Sequence, residues 1–316
     1  MGRWKTGRFL IASVVTATLI LSMLLALLPA EPASAGSWPG ANGKIAIEVE
    51  VHYSDCEIYV VNPDGTGFKQ LTDNDVCDHS PDWSADGRKL AIEREGPIGD
   101  QDYEIWVINA DGTDDHQVTD NSVGDDDPAW SPDGSKIAFV RYDSVNWDVE
   151  LWVINADGTG EQQLTNGYTD YDPEWSPDGS TIAFERMGGS IYVINPDGSG
   201  LAPVSDGYDP EWLPDGSRIA FDRYDEQIMI TNIYTVKPDG TDLQQVTTGG
   251  GYRDPAWSPD GRKIAFERGD DVWVMNADGT GEEMIAQASD PIDEIGDPDW
   301  QPTIARPVGG VVTSVN

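Results

Sequence analysis

Thirteen residues, DPAWSPDGSKIAF at 127–139, return as DPEWSPDGSTIAF from Asp172, DPEWLPDGSRIAF from Asp209 and DPAWSPDGRKIAF from Asp254, with a looser copy, SPDWSADGRKLAI, from Ser80. Their tryptophans, with Trp300 added, are Trp83, Trp130, Trp175, Trp212, Trp257 and Trp300, spaced by 47, 45, 37, 45 and 43 residues. A period of that size indicates supersecondary units that bury their apolar faces only by stacking on one another. Within a unit the Trp is followed by an Asp-Gly turn, a short apolar run such as Ile137-Ala138-Phe139, a variable loop, and a second run such as Leu151-Trp152-Val153-Ile154. An N-x-D-G-T-like turn closes the unit at Asn62, Asn109, Asn155, Asn195, Lys237 and Asn276. Asp-Gly between β-prone runs is a hairpin signal, because Gly supplies the positive φ that such turns need. Each unit is therefore predicted to hold four short antiparallel strands, A to D. Both strand faces are apolar, as in sheets sandwiched between neighbours, so the units form the blades of a β-propeller. Nine of the twelve Trp fall in strand A or C and are assigned to packing between blades.

The ends of the repeat count the blades. GKIAI at 43–47 matches strand B with no strand A before it, and DPDWQP at 297–302 matches strand A with nothing after it. The late A strand completes the early B, C and D strands, which closes an all-β ring of six blades and removes its open edges. The propeller is placed at 36–302, with 303–316 as a C-terminal tail. Such a closed ring is expected to be a monomer.

Residues 1–35 stand apart. Arg3, Lys5 and Arg8 precede an apolar stretch from Phe9 to Leu28, and Ala33-Ser34-Ala35 is a small-x-small cleavage signature. This is the pattern of a secretory signal peptide. The apolar stretch is also long enough to span a bilayer, so an uncleaved anchor is the competing reading. Cleavage predicts a secreted or extracytoplasmic protein with no stable membrane insertion. The whole chain carries a net charge of −38; residues 1–35 hold three basic residues and Glu31, net +2, which leaves −40 on the remainder. That charge repels nucleic acid and anionic lipid and favours a cationic partner.

The combination W-S-P-D-G-x-x-I-A-F with N-x-D-G-T resembles the WD-like repeat of TolB-type propellers, over nearly all of residues 36–316. The resemblance implies a six-bladed ring and partner binding. On this reading the stretch before the ring is not expected to hold the amino-terminal domain of TolB, nor the stretch after it the hydrolase domain joined to related propellers.

An Asp opens strand A at Asp127, Asp172, Asp209, Asp254 and Asp297, and an Arg follows strand B at Arg94, Arg141, Arg186, Arg223 and Arg268. The one blade with Val49 in place of the Arg is followed by the one with Ser80 in place of the Asp. The paired loss suggests structural ion pairs between blades: Arg94 with Asp127, Arg141 with Asp172, Arg186 with Asp209, Arg223 with Asp254 and Arg268 with Asp297. The competing reading makes the Asp ring a ligand site. With the repeat assigned to shape, recognition is expected where repeats differ, in the B–C and D–A loops. These hold Tyr53, Tyr103, Tyr142, Trp147, Tyr168, Tyr171, Tyr208, Tyr224 and Tyr252, together with Asp55, Asp102, Asp148, Asp170, Asp225, Asp270 and Asp293. Tyr offers rigid amphipathic contact area, so the candidate partner is a protein, peptide or glycan.

Catalytic signatures are missing: there is no G-x-S-x-G, H-E-x-x-H or P-loop. Non-catalytic binding is the expectation, and a carbohydrate-active lyase or hydrolase using a metal and carboxylates is the alternative. No cofactor is expected; the acidic loops are compatible with calcium, although no EF-hand spacing is present. Cys56 and Cys77 are read as a disulfide in an exported protein. A zinc site with His52 and His79 is the neighbouring reading, against which the absence of a tight C-x2-C pair counts.

Overall fold

A computed structural model describes residues 40–51, 55–96, 102–142, 148–288 and 294–304. The proposed signal peptide, Tyr53, Trp147, Asp293, His52 and residues 305–316 lie outside the described residues, whereas Thr303 and Ile304, expected to begin the tail, belong to the last strand. Six four-stranded antiparallel sheets account for every strand of the described residues, which hold no helix.

Blade 1 is composite. Its strand A, Glu294–Ile304, pairs with its strand B, Gly40–Val51, placing Ile45 opposite Trp300 and Ala46 opposite Asp299. Strands Asp55–Val61 and Lys69–Gln70 complete it. The other strand A segments are Asp78–Trp83, Asp125–Trp130, Asp170–Trp175, Tyr208–Trp212 and Arg253–Trp257, for blades 2 to 6. The closure read from the sequence is therefore the closure of the ring.

The I-A-F run is buried throughout because a blade has no solvent face: Ile137, Ala138 and Phe139 are all fully buried. The apolar clusters straddle neighbouring blades, as where Ala46, Ile58 and Val60 of blade 1 meet Trp83, Leu90 and Ile92 of blade 2. The N-x-D-G-T turn serves the same contact. Gly158 has φ +79, and a Cβ there would stand 2.9 Å from the carbonyl oxygen of Val118 in the preceding blade. Only glycine satisfies both the left-handed turn and the close approach. A second recurring device is the Thr after strand D. Thr119 and Thr165 each accept a 2.9 Å hydrogen bond from a buried strand C amide, of Ile105 and Leu151. Cys56, opening strand C of blade 1, and Cys77, just before strand A of blade 2, form a disulfide that ties the two blades together.

Candidate functional site

Strand A opens with two positions, two residues apart, that point to different places; in blades 3 and 4 both are acidic. In blades 2, 3 and 4 the first is Asp78, Asp125 or Asp170, each fully buried and directly opposite the Arg of strand B in its own blade. Arg94 donates to Asp78 from Nε at 2.6 Å and Nη2 at 2.9 Å. Arg141 donates to Asp125 at 2.5 and 2.7 Å, and Arg186 to Asp170 at 2.7 and 3.0 Å. The guanidinium is also stacked on an aromatic of strand C: Trp106 at 4.8 Å, Trp152 at 4.9 Å and Tyr192 at 4.7 Å. These are bidentate pairs held on a ring face, the geometry Arg favours in partly buried sites.

The expected pairs between blades are thus replaced by pairs within a blade. The reason is a bulge. Pairing between strands A and B slips between Asp126 and Ala129, Tyr171 and Glu174, and their equivalents. The bulged residues Ser80, Asp127, Asp172, Asp209, Asp254 and Asp297 take φ of 48, 51, 48, 48, 46 and 46°. Asp is among the few residues that tolerate this left-handed region. The bulge turns Asp127, Asp172, Asp209, Asp254 and Asp297 away from Arg94, Arg141, Arg186, Arg223 and Arg268 and aims them at the ring axis. The paired loss at Val49 and Ser80 has a different origin, since Val49 faces Ile295 across its own blade. Arg268 instead pairs with Glu282 at 2.5 Å, and among the described residues the one carboxylate within 4 Å of Arg223 is Asp206, at 3.8 Å.

The five aspartates and Ser80 ring the axial cavity, of about 170 Å³, over a collar of prolines. A deeper tier holds Asp82, Glu174, Glu211 and Asp299, interrupted by Ala129 and Ala256, above the Trp of each strand A. Part of that tier is structural. Asp299 accepts from the Trp83 amide at 2.6 Å and Asp82 from the Trp130 amide at 2.5 Å, each bond crossing to the next blade. Strand B adds acids from the side: the ligand oxygens of Asp172, Glu185 and Asp209 lie within 4.8 Å of one another, as do those of Asp254, Glu267 and Asp297. Among the described residues none of the five ring aspartates carries an ion pair. Chemically the site can hold a cation, through hydrogen bonds to an ammonium or guanidinium or by direct coordination of a metal ion.

Crowding shows in the proton affinities. Burial, then repulsion from Asp127 and Glu185, holds Asp172 well above the usual carboxylate range. Burial and Asp254 do the same to Asp209. Burial, with repulsion from Asp222 and Asp127, pushes Glu185 up to about 7, burial alone raises Asp299 to about 7, and Asp222 rises to about 6. The folded protein therefore binds more protons than the unfolded chain. The stabilisation is complete below the ordinary carboxylate range and is lost as pH rises through about 6 to 7. Calorimetry at fixed ionic strength is expected to show a melting temperature several degrees higher near pH 5 than near pH 8. Asp172→Asn/Asp209→Asn should flatten that slope. An equal slope in the variant would mean that the tiers do not set it.

The loop residues divide. Tyr142, Tyr168, Tyr208 and Tyr224 are exposed, and Tyr103 and Tyr171 are half-buried. Asp170 and Tyr252 are corrections to the expected binding face: Asp170 is the buried clamp of Arg186. Tyr252 is buried against Phe266, with its hydroxyl donating to Glu282 at 2.7 Å. The zinc reading also lapses, because both sulfurs are oxidised in the disulfide; His79 Nδ1 lies 2.8 Å from Glu48 instead. The deeper tier and the strand B acids escaped sequence reasoning, although a signal exists. The x of D-P-x-W is only Ala, Asp or Glu in the six repeats, where a buried strand would carry an apolar residue.

The sequence signature described as TolB beta propeller domain matches residues 101–304. Among solved structures, TolB from Acinetobacter baumannii is similar at a TM-score of 0.68 and 18% identity, over 92% of this chain and 73% of that one. An oligogalacturonate lyase in complex with manganese is similar at 0.57 and 15% identity, over 74% of this chain and 72% of that one. These are likenesses of fold. Dipeptidyl-peptidase 5 of Porphyromonas gingivalis is 35% identical over 57 residues; the match spans 16% of this chain and 8% of that relative's length.

Proposed function

The chain belongs to the TolB β-propeller domain family, and from that premise we propose that it is an extracytoplasmic, non-catalytic binding module whose channel mouth captures a cationic group of a protein or peptide partner. The observation that carries this reading is the convergence of Asp127, Asp172, Asp209, Asp254 and Asp297 on the axial cavity with no ion pair of their own among the described residues. A Lys or Arg side chain entering the mouth would exchange water for several charge-assisted hydrogen bonds and relieve the repulsion among the aspartates. Tyr142, Tyr171 and Tyr208, on the same strand ends, would supply the contact area around it.

A second reading rests on the two carboxylate triads, whose oxygens are close enough together for one hard cation. Calcium there would cap the channel, and the lyase-like alternative would need such an ion. Titration calorimetry separates the two. An oligolysine peptide is expected to bind wild-type protein with an affinity that falls steeply with salt, and Asp172→Asn/Asp209→Asn should weaken it about tenfold or more. Unchanged peptide affinity in that variant would reject the cationic-partner reading. Calcium binding that excludes the peptide, and is lost in the same variant, would favour the metal.

A further inference from the structure

The short Trp175–Trp212 spacing of 37 residues marks a deletion, and the structure shows where it falls. In blade 4 the B–C connection is a turn of residues 187–189 between strands Ile182–Arg186 and Ser190–Ile194. Its D–A connection is the single residue Gly207, between Ala202–Asp206 and Tyr208–Trp212. The corresponding connection from blade 3 to blade 4 takes residues 164–169. Two shortened loops side by side leave a cavity of about 520 Å³ at the junction of blades 4 and 5, within the about 300–1,000 Å³ typical of small-ligand sites.

The same deletion releases an arginine. Gly207 stands where blades 2 to 4 carry the clamp aspartate, and a Cβ there would collide with the ring of Phe221. No carboxylate can occupy that position. Arg223, in the cavity wall, consequently makes no hydrogen bond among the described residues, and its side chain is 38% exposed, against 13, 12 and 10% for Arg94, Arg141 and Arg186. Its nearest carboxylate, Asp206, is 80% exposed and 3.8 Å away, too far for a hydrogen bond. Tyr234 lies beneath the guanidinium at 5.9 Å, and Tyr208 and Tyr224 form walls. Asp206 and Glu226 also face the cavity, while Asp225 is engaged by the amides of Gln227 and Ile228. The adjoining loop tips carry the exposed apolar side chains Met187, Ile228 and Met229.

We propose that this cavity binds a small zwitterion with an apolar side chain, namely an amino acid or short peptide with both ends free. Arg223 takes the carboxylate in a bidentate pair, Asp206 and Glu226 take the ammonium, and the tyrosines and loop-tip apolar groups take the side chain. Charge selects this class over its rivals. A polyanion is repelled by a chain of net charge −38, and a simple cation leaves the guanidinium unpaired. A zwitterion crosses that field at no net electrostatic cost and satisfies both signs in the cavity. The site is off the axis and does not rest on the channel reading.

Titration calorimetry with the dipeptide alanyl-leucine is the test, alongside its C-terminal amide and its N-acetyl form. Saturable 1:1 binding of the parent is expected, weakened about tenfold or more by amidation and severalfold by acetylation. Arg223→Gln should lose binding by a similar factor, with Arg223→Lys intermediate and the melting temperatures of both unchanged. Asp172→Asn/Asp209→Asn, altered only at the channel mouth, should bind the dipeptide as wild type does. The proposal is overturned if the parent does not bind saturably, if amide and parent bind alike, if Arg223→Gln binds normally, or if the channel-mouth variant loses the dipeptide.

Discussion

Replacing Asp125 by Ala is expected to destabilise the ring by about 3–5 kcal/mol, the usual result of leaving a buried charge without its partner. Asp125 is fully buried, takes two hydrogen bonds from Arg141, and accepts a third from Asn121 at 2.7 Å. Without it Arg141 keeps Glu161, at 3.0 and 3.1 Å on the exposed side, and the faces of Trp152 and Phe139. The Asp125→Ala/Arg141→Met double variant should cost clearly less than the two single losses added together, because the apolar stem can still cover Trp152 while no charge is stranded. Urea unfolding of the four proteins reads the coupling directly. Arg141 and Asp172, by contrast, should behave independently, since one points into the clamp and the other to the axis. Strong coupling between Arg141 and Asp172, with additivity between Arg141 and Asp125, would restore the pairing between blades that the spacing suggested.

Deleting residues 294–316 should abolish cooperative folding rather than trim a tail. The deletion removes strand A of blade 1, and with it Trp300 and Ile295, both buried in the cluster that joins blades 1 and 6. The loss of Trp300 packing alone is worth about 3–5 kcal/mol. The bond from the Trp83 amide to Asp299, which fastens blade 1 to blade 2, goes as well. What remains is Gly40–Val51 as an open edge in a ring that can no longer close, which is a template for association. Size-exclusion chromatography and a thermal melt should show aggregation and a broad or absent transition. A monomer with an unchanged melt would mean that blade 1 stands without its last strand.

Periodicity carried the architecture. Trp, Asp-Gly and the I-A-F run recur because each blade solves the same packing problem, and the mismatched ends, GKIAI and DPDWQP, announced the shared blade. Cysteine count and the expected export pointed to the Cys56–Cys77 bridge, since two cysteines allow one pairing. The site was less legible, for a geometric reason. Spacing along a chain records which residues share a strand, whereas a bulge decides which of two adjacent acids faces the partner strand and which faces the axis. Six blades, their strand order and their closure follow from the repeat alone, because burial on both faces leaves a repeat little choice. The repeat does not reveal that Asp125 clamps Arg141 while Asp127 lines the channel, or that Arg223 stands without a clamp; the packed fold does. Those outcomes depend on a left-handed φ near +50° at Asp127 and on the Phe221 ring beside Gly207, and both are contacts made in space by residues that the repeat alone treats as equivalent.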